Sequence, residues 1–142
     1  MLLEPVVLSP EFCRAATERN ANFALAIDEW ERDINARPDM RSRDYALRDV
    51  ARARAHLTED PRRETRLARC RCVRCEYESR LAGAAVSSRP CALCAAMVGS
   101  GSTSVDVLCL PCAQEHELCA HCAGDIQGRR ERTDYPAAAV AD

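Results

Sequence analysis

Cys72-Val73-Arg74-Cys75, Cys91-Ala92-Leu93-Cys94, Cys109-Leu110-Pro111-Cys112 and Cys119-Ala120-His121-Cys122 follow one another through the second half of the chain. A Cys-x-x-Cys turn aims two thiolates at one point while backbone N–H groups between them bond the sulfurs. Two such knuckles complete a tetrahedral four-sulfur shell, the closed arrangement of structural zinc. Four knuckles therefore predict two zinc ions, held by Cys72, Cys75, Cys91, Cys94, Cys109, Cys112, Cys119 and Cys122.

Spacing alone does not say which knuckles share a metal. Sequential pairing closes a tight six-residue loop between Cys112 and Cys119. Nested pairing joins the second knuckle to the third and the first to the fourth, and it fits a zinc-ribbon layout. A cross-brace joins first to third and second to fourth. All eight cysteines are ligands in each version.

Composition supports a metal-built core. Only 4% of the 142 residues are aromatic, so a large self-sufficient core is not expected. Zinc binding to thiolates is worth roughly 10–16 kcal/mol, and that becomes folding free energy. The ten cysteines would form disulfides only in an oxidising compartment. The start Met1-Leu2-Leu3-Glu4-Pro5 lacks the basic, apolar pattern of a secretion signal. A cytoplasmic location with reduced, metallated thiols is the expectation. No apolar run approaches the roughly 20 residues that span a bilayer, so no membrane partner is expected.

Before the knuckles, the chain reads as helical over residues 1–69. After an extended lead-in, Ser9-Pro10-Glu11 opens a helix over about 10–36, with serine as cap, proline in the first turn and an acid beside it. Phe12, Ala16, Phe23, Ile27, Trp30 and Ile34 fall on one apolar stripe. Pro38 stops it. A second helix over about 40–57 carries Met40, Leu47, Val50 and Leu57, and the short connection predicts an antiparallel hairpin. Asp60-Pro61 repeats the cap-and-proline start for a short helix over about 61–69.

Charge is unevenly spread. Residues 1–36 hold three arginines against seven acids, and residues 37–74 hold twelve arginines against six acids. Every basic side chain is arginine, which suits bidentate recognition of carboxylate or phosphate. The run Arg62, Arg63, Arg66, Arg69 reads either as a solvated face or as a phosphate- or acid-binding surface.

The knuckle domain covers 70–128. Within it, Gly99-Ser100-Gly101-Ser102 predicts a tight turn and Val105–Leu108 a strand, so that a short β-hairpin links knuckles two and three. Residues 76–85 suit a strand or a short helix, and 113–118 suit about one helical turn. Residues 129–142 read as a flexible tail. Cys70 is the spare thiol of a Cys70-Arg71-Cys72 triplet, and Cys13 a second non-ligand. His56, His116 and His121 read as surface or supporting histidines, because a full sulfur shell needs no imidazole.

The segment Cys91-Ala92-Leu93-Cys94, then Leu108-Cys109-Leu110-Pro111-Cys112 through Leu118-Cys119-Ala120-His121-Cys122 to Thr133-Asp134-Tyr135, resembles the cysteine-rich PDZ-binding protein family. Cys72-Val73-Arg74-Cys75-Glu76 is similar to that family's first pair. The resemblance spans about residues 72–135. It implies a cytoplasmic double-zinc adaptor that binds other proteins without known catalysis. The family ends in an apolar residue that PDZ domains capture. This chain ends Val140-Ala141-Asp142, so PDZ binding is not carried over.

The expected fold is thus an N-terminal helical hairpin followed by a two-zinc ribbon or knuckle module with a short β-hairpin. The expected function is a non-enzymatic, zinc-binding interaction module: an adaptor subunit or a small inhibitor of a larger assembly. Its partner would be another protein, or a second copy, meeting Phe23, Ile27, Trp30 and Ile34 of the helical region, with Arg62, Arg63 and Arg66 as a second contact. No small-molecule substrate is expected. The alternative is nucleic-acid binding through the arginine-rich segment 37–74. Against it, each zinc with four thiolates sums to −2, and the ribbon lacks stacking aromatics.

Overall fold

A computed structural model of the chain describes residues 1–78 and 83–137. It orders the elements as α1 (Pro10–Ala21), α2 (Phe23–Asn35), α3 (Arg43–Glu59), α4 (Arg63–Ala68), α5 (Val73–Tyr77), β1 (Ala84–Pro90), β2 (Met97–Ser102) and α6 (Leu110–His116). Helices followed by a β-hairpin flanked by two four-cysteine clusters make a zinc-ribbon-like module joined to a helical hairpin.

The first helix starts as its sequence dictates. Ser9 is extended, its hydroxyl accepts the Phe12 N–H at 3.1 Å, and Pro10 follows. The expected single helix over 10–36 is instead two helices that meet at Asn22 (φ −91°, ψ 12°). Asparagine competes poorly for helix interiors, and here the asparagines just before and at the joint have other work. Asn20 donates to the Cys122 sulfur at 3.2 Å, and Asn22 accepts from Arg130. The break lets each half serve a different neighbour. α1 buries Cys13, Ala16 and Thr17 towards the cysteine module, while α2 buries Phe23, Ile27 and Ile34 against Val50 of α3.

Tyr77 of α5 joins the α2–α3 core and stacks on His56, with ring centroids 4.5 Å apart. Its hydroxyl donates to Asp60 at 2.6 Å. Arg66 completes that brace. Its guanidinium forks onto Asp60, with the shortest contact 2.7 Å, and donates to the Arg71 carbonyl at 3.0 Å. Arg66 is only 5% exposed. The α4 arginine run therefore contains a buried strut, not a uniform solvated face.

The hairpin turns at a different place from the one expected. Gly99-Ser100-Gly101-Ser102 lies within β2, paired antiparallel with β1 through Gly99 opposite Ser88 and Ser100 opposite Ser87. The reversal is the second knuckle itself. Ala95 takes a left-handed φ of 65°, and the Cys91 N–H closes the turn on the Ala96 carbonyl at 2.7 Å. A knuckle is already a tight turn, so the glycine–serine run is free to be strand. The extended lead-in adds to the other edge of β1, where Leu3 N–H donates to Ser88 O at 2.7 Å.

Val105, Val107 and Leu108 are buried, but the segment forms no strand. Val107 and Leu108 both donate to the Ala120 carbonyl, at 2.9 and 3.0 Å, while Ala120 donates to the Cys70 carbonyl at 2.6 Å. One residue of the fourth knuckle thus ties together the approaches to the first and third.

The expected tail is anchored as far as Tyr135. Asp125 has no exposure and accepts from Arg129 and Arg132, each at 2.8 Å, and Tyr135 is buried with its hydroxyl 2.9 Å from Thr17 Oγ1. The sequence signal for this was the i,i+4 pair Asp125 and Arg129. Residues 138–142 of the expected tail, and 79–82 of the expected strand or helix, lie outside the described residues.

Candidate metal centres

All four knuckles share one local device. In each, the residue after the second cysteine donates its N–H to the carbonyl of the first: Glu76 to Cys72, Ala95 to Cys91, Ala113 to Cys109 and Ala123 to Cys119, at 2.8–3.1 Å. The first and third knuckles continue this turn into α5 and α6, capped by Cys72 and Cys109. The second and fourth stop it, with Ala95 at φ 65° and Ala123 at φ 64°. Each cluster combines one knuckle of each kind.

The pairing is nested. Cys72, Cys75, Cys119 and Cys122 form an inner cluster, and Cys91, Cys94, Cys109 and Cys112 an outer one. Within each, the four sulfurs all lie within 4.8 Å of one another. A tetrahedral zinc with Zn–S of about 2.3 Å needs sulfurs about 3.8 Å apart. Cys72 and Cys122 sulfurs are 4.0 Å apart, and those of Cys94 and Cys109 are 3.6 Å apart. Both clusters fit a four-thiolate ion, and Cys70 and Cys13 stand outside them.

Backbone donors point at the sulfurs, as thiolate ligands require. Cys72 N–H donates to Cys119 Sγ at 3.3 Å, Gly124 N–H to Cys122 Sγ at 3.4 Å, and Cys109 N–H to Cys91 Sγ at 3.3 Å. Burial opposes ionisation of Cys91, yet the N–H groups of Cys109, Cys94 and Leu93 bring its thiol down to about 7. In the inner cluster, hydrogen bonds from the neighbouring thiols drive Cys122 far below the ordinary thiol range. Burial pushes the isolated Cys13 up to about 11, as befits an inert core thiol.

The two centres differ in surroundings. All four inner cysteines are buried, covered by Ala16 of α1 and by Ile126. In the outer cluster Cys91 is buried, Cys109 and Cys112 are half-buried, and Cys94 is exposed. Residues beyond the cysteines also shape the inner site. Gly124 passes so close to α1 that an added Cβ would sit 2.8 Å from Asn20 Nδ2 and 3.1 Å from Thr17 N. Asn20, Gly124, Thr17 and Asp125 escape a reading by motif, because their role comes from α1 crossing the fourth knuckle.

The histidines hold positions outside both sulfur clusters. His121 Nδ1 lies 2.9 Å from Asp106 Oδ1 and its Nε2 lies 3.4 Å from Ser104 Oγ, which fastens the 102–106 segment to the fourth knuckle. Arg71 approaches the same carboxylate at 3.6 Å. His116 ends α6, and its carbonyl accepts from Arg132 at 2.5 Å.

The expected partner residues separate. Phe23, Ile27 and Ile34 are 6%, 2% and 3% exposed and form the core of the α2–α3 seam, with Phe23 and Ile27 also lining the groove beside it. Arg66 is buried as well. Trp30 is 40% exposed, Arg63 is exposed, and Arg62 is exposed while lying over Tyr77 and 3.5 Å from Glu76. Part of the arginine-rich segment is used in internal pairing: Arg54 with Asp28 and Glu31, Arg66 with Asp60, Arg71 with Asp106, and Arg74 with Glu78, while Arg37, Arg41, Arg48, Arg63 and Arg69 are exposed.

Fold and site together define a small metal-binding class of protein: a zinc-ribbon-like module with two nested four-cysteine clusters, carried on a helical hairpin. No protein-family model, curated protein or solved structure matches the chain. The resemblance to the cysteine-rich PDZ-binding family accordingly rests on cysteine spacing alone. Among the described residues, no helix is long and apolar enough to cross a membrane.

Proposed function

We propose that this chain is a non-catalytic, two-zinc protein–protein interaction module, working as an adaptor subunit or small inhibitor of a larger assembly. The observation that carries this reading is the closure of both sulfur shells. Each cluster gathers four sulfurs within 4.8 Å of one another, and a metal bound by all four has no position left for water or substrate. The zincs fold the module, and its surface does the work in a reducing, cytoplasmic setting.

The surface best suited to a protein partner is the groove beside the α2–α3 seam. It is a cavity of about 580 Å³ with Phe23 and Ile27 in its lining and Trp30, Tyr45, His56 and Tyr77 around it. Tyr45 is 67% exposed and Trp30 40%. Exposed aromatics over an apolar floor are the composition of interface centres.

Native mass spectrometry of the chain isolated from its host, combined with comparative capture by wild type and a Trp30→Asp/Tyr45→Asp variant, tests the proposal. The expected result is two zincs per chain in both proteins and a partner protein retained only by wild type. Fewer than two zincs would overturn the closed-site reading. Equal capture by both proteins would overturn the groove. Salt-sensitive nucleic acid on both proteins would favour the arginine-rich segment instead.

A further inference from the structure

The two clusters have the same ligands and opposite accessibility. Cys72, Cys75, Cys119 and Cys122 are 2%, 4%, 0% and 7% exposed. They lie beneath α1, with the Asn20 side chain on Cys122 sulfur. The outer cluster sits at the hairpin tip with Cys94 exposed and Cys109 and Cys112 half-buried. A small electrophile therefore reaches sulfur at one centre and protein at the other.

Resting on the metal occupancy proposed above, we propose that the outer cluster is an oxidant-reactive modification site. There, a peroxide couples Cys94 to Cys109 and releases the outer metal, while the inner cluster keeps its own. Thiolates remain nucleophilic when exposed, and access selects among them. Cys94 sulfur attacks the peroxide O–O bond, becoming a sulfenic acid and expelling hydroxide, which takes up a proton to leave as water. Cys109 sulfur, 3.6 Å away, then displaces the sulfenic oxygen, which leaves as a second water. Two thiolates lose two electrons in all, hydrogen peroxide gains them, and two protons are consumed.

The sulfurs must close from 3.6 Å to about 2.05 Å, which the exposed tip beside Ala95 can follow. The disulfide leaves Cys91 and Cys112 as half a shell, too few for a four-thiolate ion. Ala92, Leu93 and Val98 hold the hairpin against the core that includes Leu108 and Leu118. Losing the outer metal therefore frees the hairpin and uncovers that apolar surface. Cys13 and Cys70 are buried and do not compete for oxidant.

The test uses the full chain, with its metal content first counted by native mass spectrometry. One equivalent of hydrogen peroxide is then added in the presence of a zinc chromophore, and the products are mapped by peptide mass spectrometry. The expected result is release of one zinc from two, a Cys94–Cys109 disulfide, and an intact inner cluster. Pulse alkylation of the untreated protein with N-ethylmaleimide should label Cys94 at least about tenfold faster than any inner cysteine, in keeping with control of thiol reactivity by access. Simultaneous loss of both zincs, first oxidation at an inner cysteine, or no release under tenfold excess peroxide would each overturn the inference. A chain with no zinc before oxidant is added fails the proposed function itself, and this inference falls with it.

Discussion

Arg132 sets its guanidinium 2.8 Å from the Asp125 carboxylate at a point where the aspartate side chain has no solvent exposure and the arginine only 7%. Arg129 approaches the same carboxylate at 2.8 Å, and the Asp125 N–H donates to Thr17 Oγ1 at 2.9 Å. Helix α1 and the segment that follows Asp125 therefore converge on one residue just beyond the fourth knuckle. Burial raises the Asp125 carboxyl, but the two arginines outweigh it and hold it at about 2.

Removing that carboxylate leaves the buried Arg132 to the exposed Asp134 and to the Glu117 and His116 carbonyls. Asp125→Ala should cost about 3–5 kcal/mol, the typical loss when one partner of a buried ion pair is deleted. Urea denaturation at saturating zinc measures it. A loss below about 1 kcal/mol, the range of surface pairs, would show that Arg129 and Arg132 find water or other acids at little cost.

Gly124→Ala tests the crossing of α1 over the inner site. The new methyl would meet Asn20 Nδ2 at 2.8 Å and the Ala16 backbone carbon at 3.2 Å. Overpacking of this kind costs about 1–3 kcal/mol, and here it also pushes Asn20 from Cys122. Thermal melts should show the destabilisation. Competition with a chelator should show faster loss of the inner zinc, and unchanged chelation kinetics would contradict that link.

Core and contact residues on α2 should separate cleanly. Ile27→Ala or Ile34→Ala opens a cavity in the α2–α3 seam and should cost about 2–5 kcal/mol. Trp30→Ala should cost less, with partner capture lost at near-wild-type stability. If Trp30→Ala destabilises as much as Ile34→Ala, Trp30 belongs to the core.

Ala95 occupies the left-handed region without a glycine's freedom, and it is exposed. Ala95→Gly should stabilise the chain by up to about 1 kcal/mol, because relief of the Cβ clash (about 1–2 kcal/mol) outweighs the added freedom of the unfolded chain. Differential denaturation of the two proteins decides it, and a loss of stability would mean the knuckle imposes no such strain.

Acid should act through the thiolates before the carboxylates. Metal-bound sulfur is deprotonated, so protons compete with zinc as pH falls from neutral. Asp125, with a folded value of about 2 against an ordinary 3.8, contributes stability fully above 3.8. That contribution is lost progressively as pH falls from 3.8 through about 2. Circular dichroism and a zinc chromophore followed together should report one shared transition, complete above the carboxylate range. Structure that outlasts zinc release would show that the metals are not the core.

The eight knuckle cysteines were legible because their spacing is itself the geometry of a metal turn. The helical hairpin was legible because Phe23, Ile27 and Ile34 repeat at helical intervals opposite Val50. What escaped depended on contacts distant in sequence. The joint at Asn22 exists because α1 and α2 face different neighbours. Gly99–Ser102 looked like a turn by composition, but the reversal was already supplied by Cys91–Cys94. Arg66 read as one charge in a run until Asp60, Tyr77 and the Arg71 carbonyl closed around it. Nested pairing was one of three arrangements open to the spacing, and it took the hairpin to place knuckles two and three side by side.

Nesting also carries an order of assembly. The outer shell closes across the short interval from Cys94 to Cys109, whereas the inner shell must join Cys75 to Cys119 across roughly three times as much chain. Loop closure over threefold more chain costs about 1 kcal/mol more, and a shell already formed inside that interval shortens what remains to be closed. The hairpin-tip site is thus built to be the nucleus around which the long-range shell condenses. The centre that is most open to solvent in the finished protein is the one whose early formation makes the buried centre easier to reach.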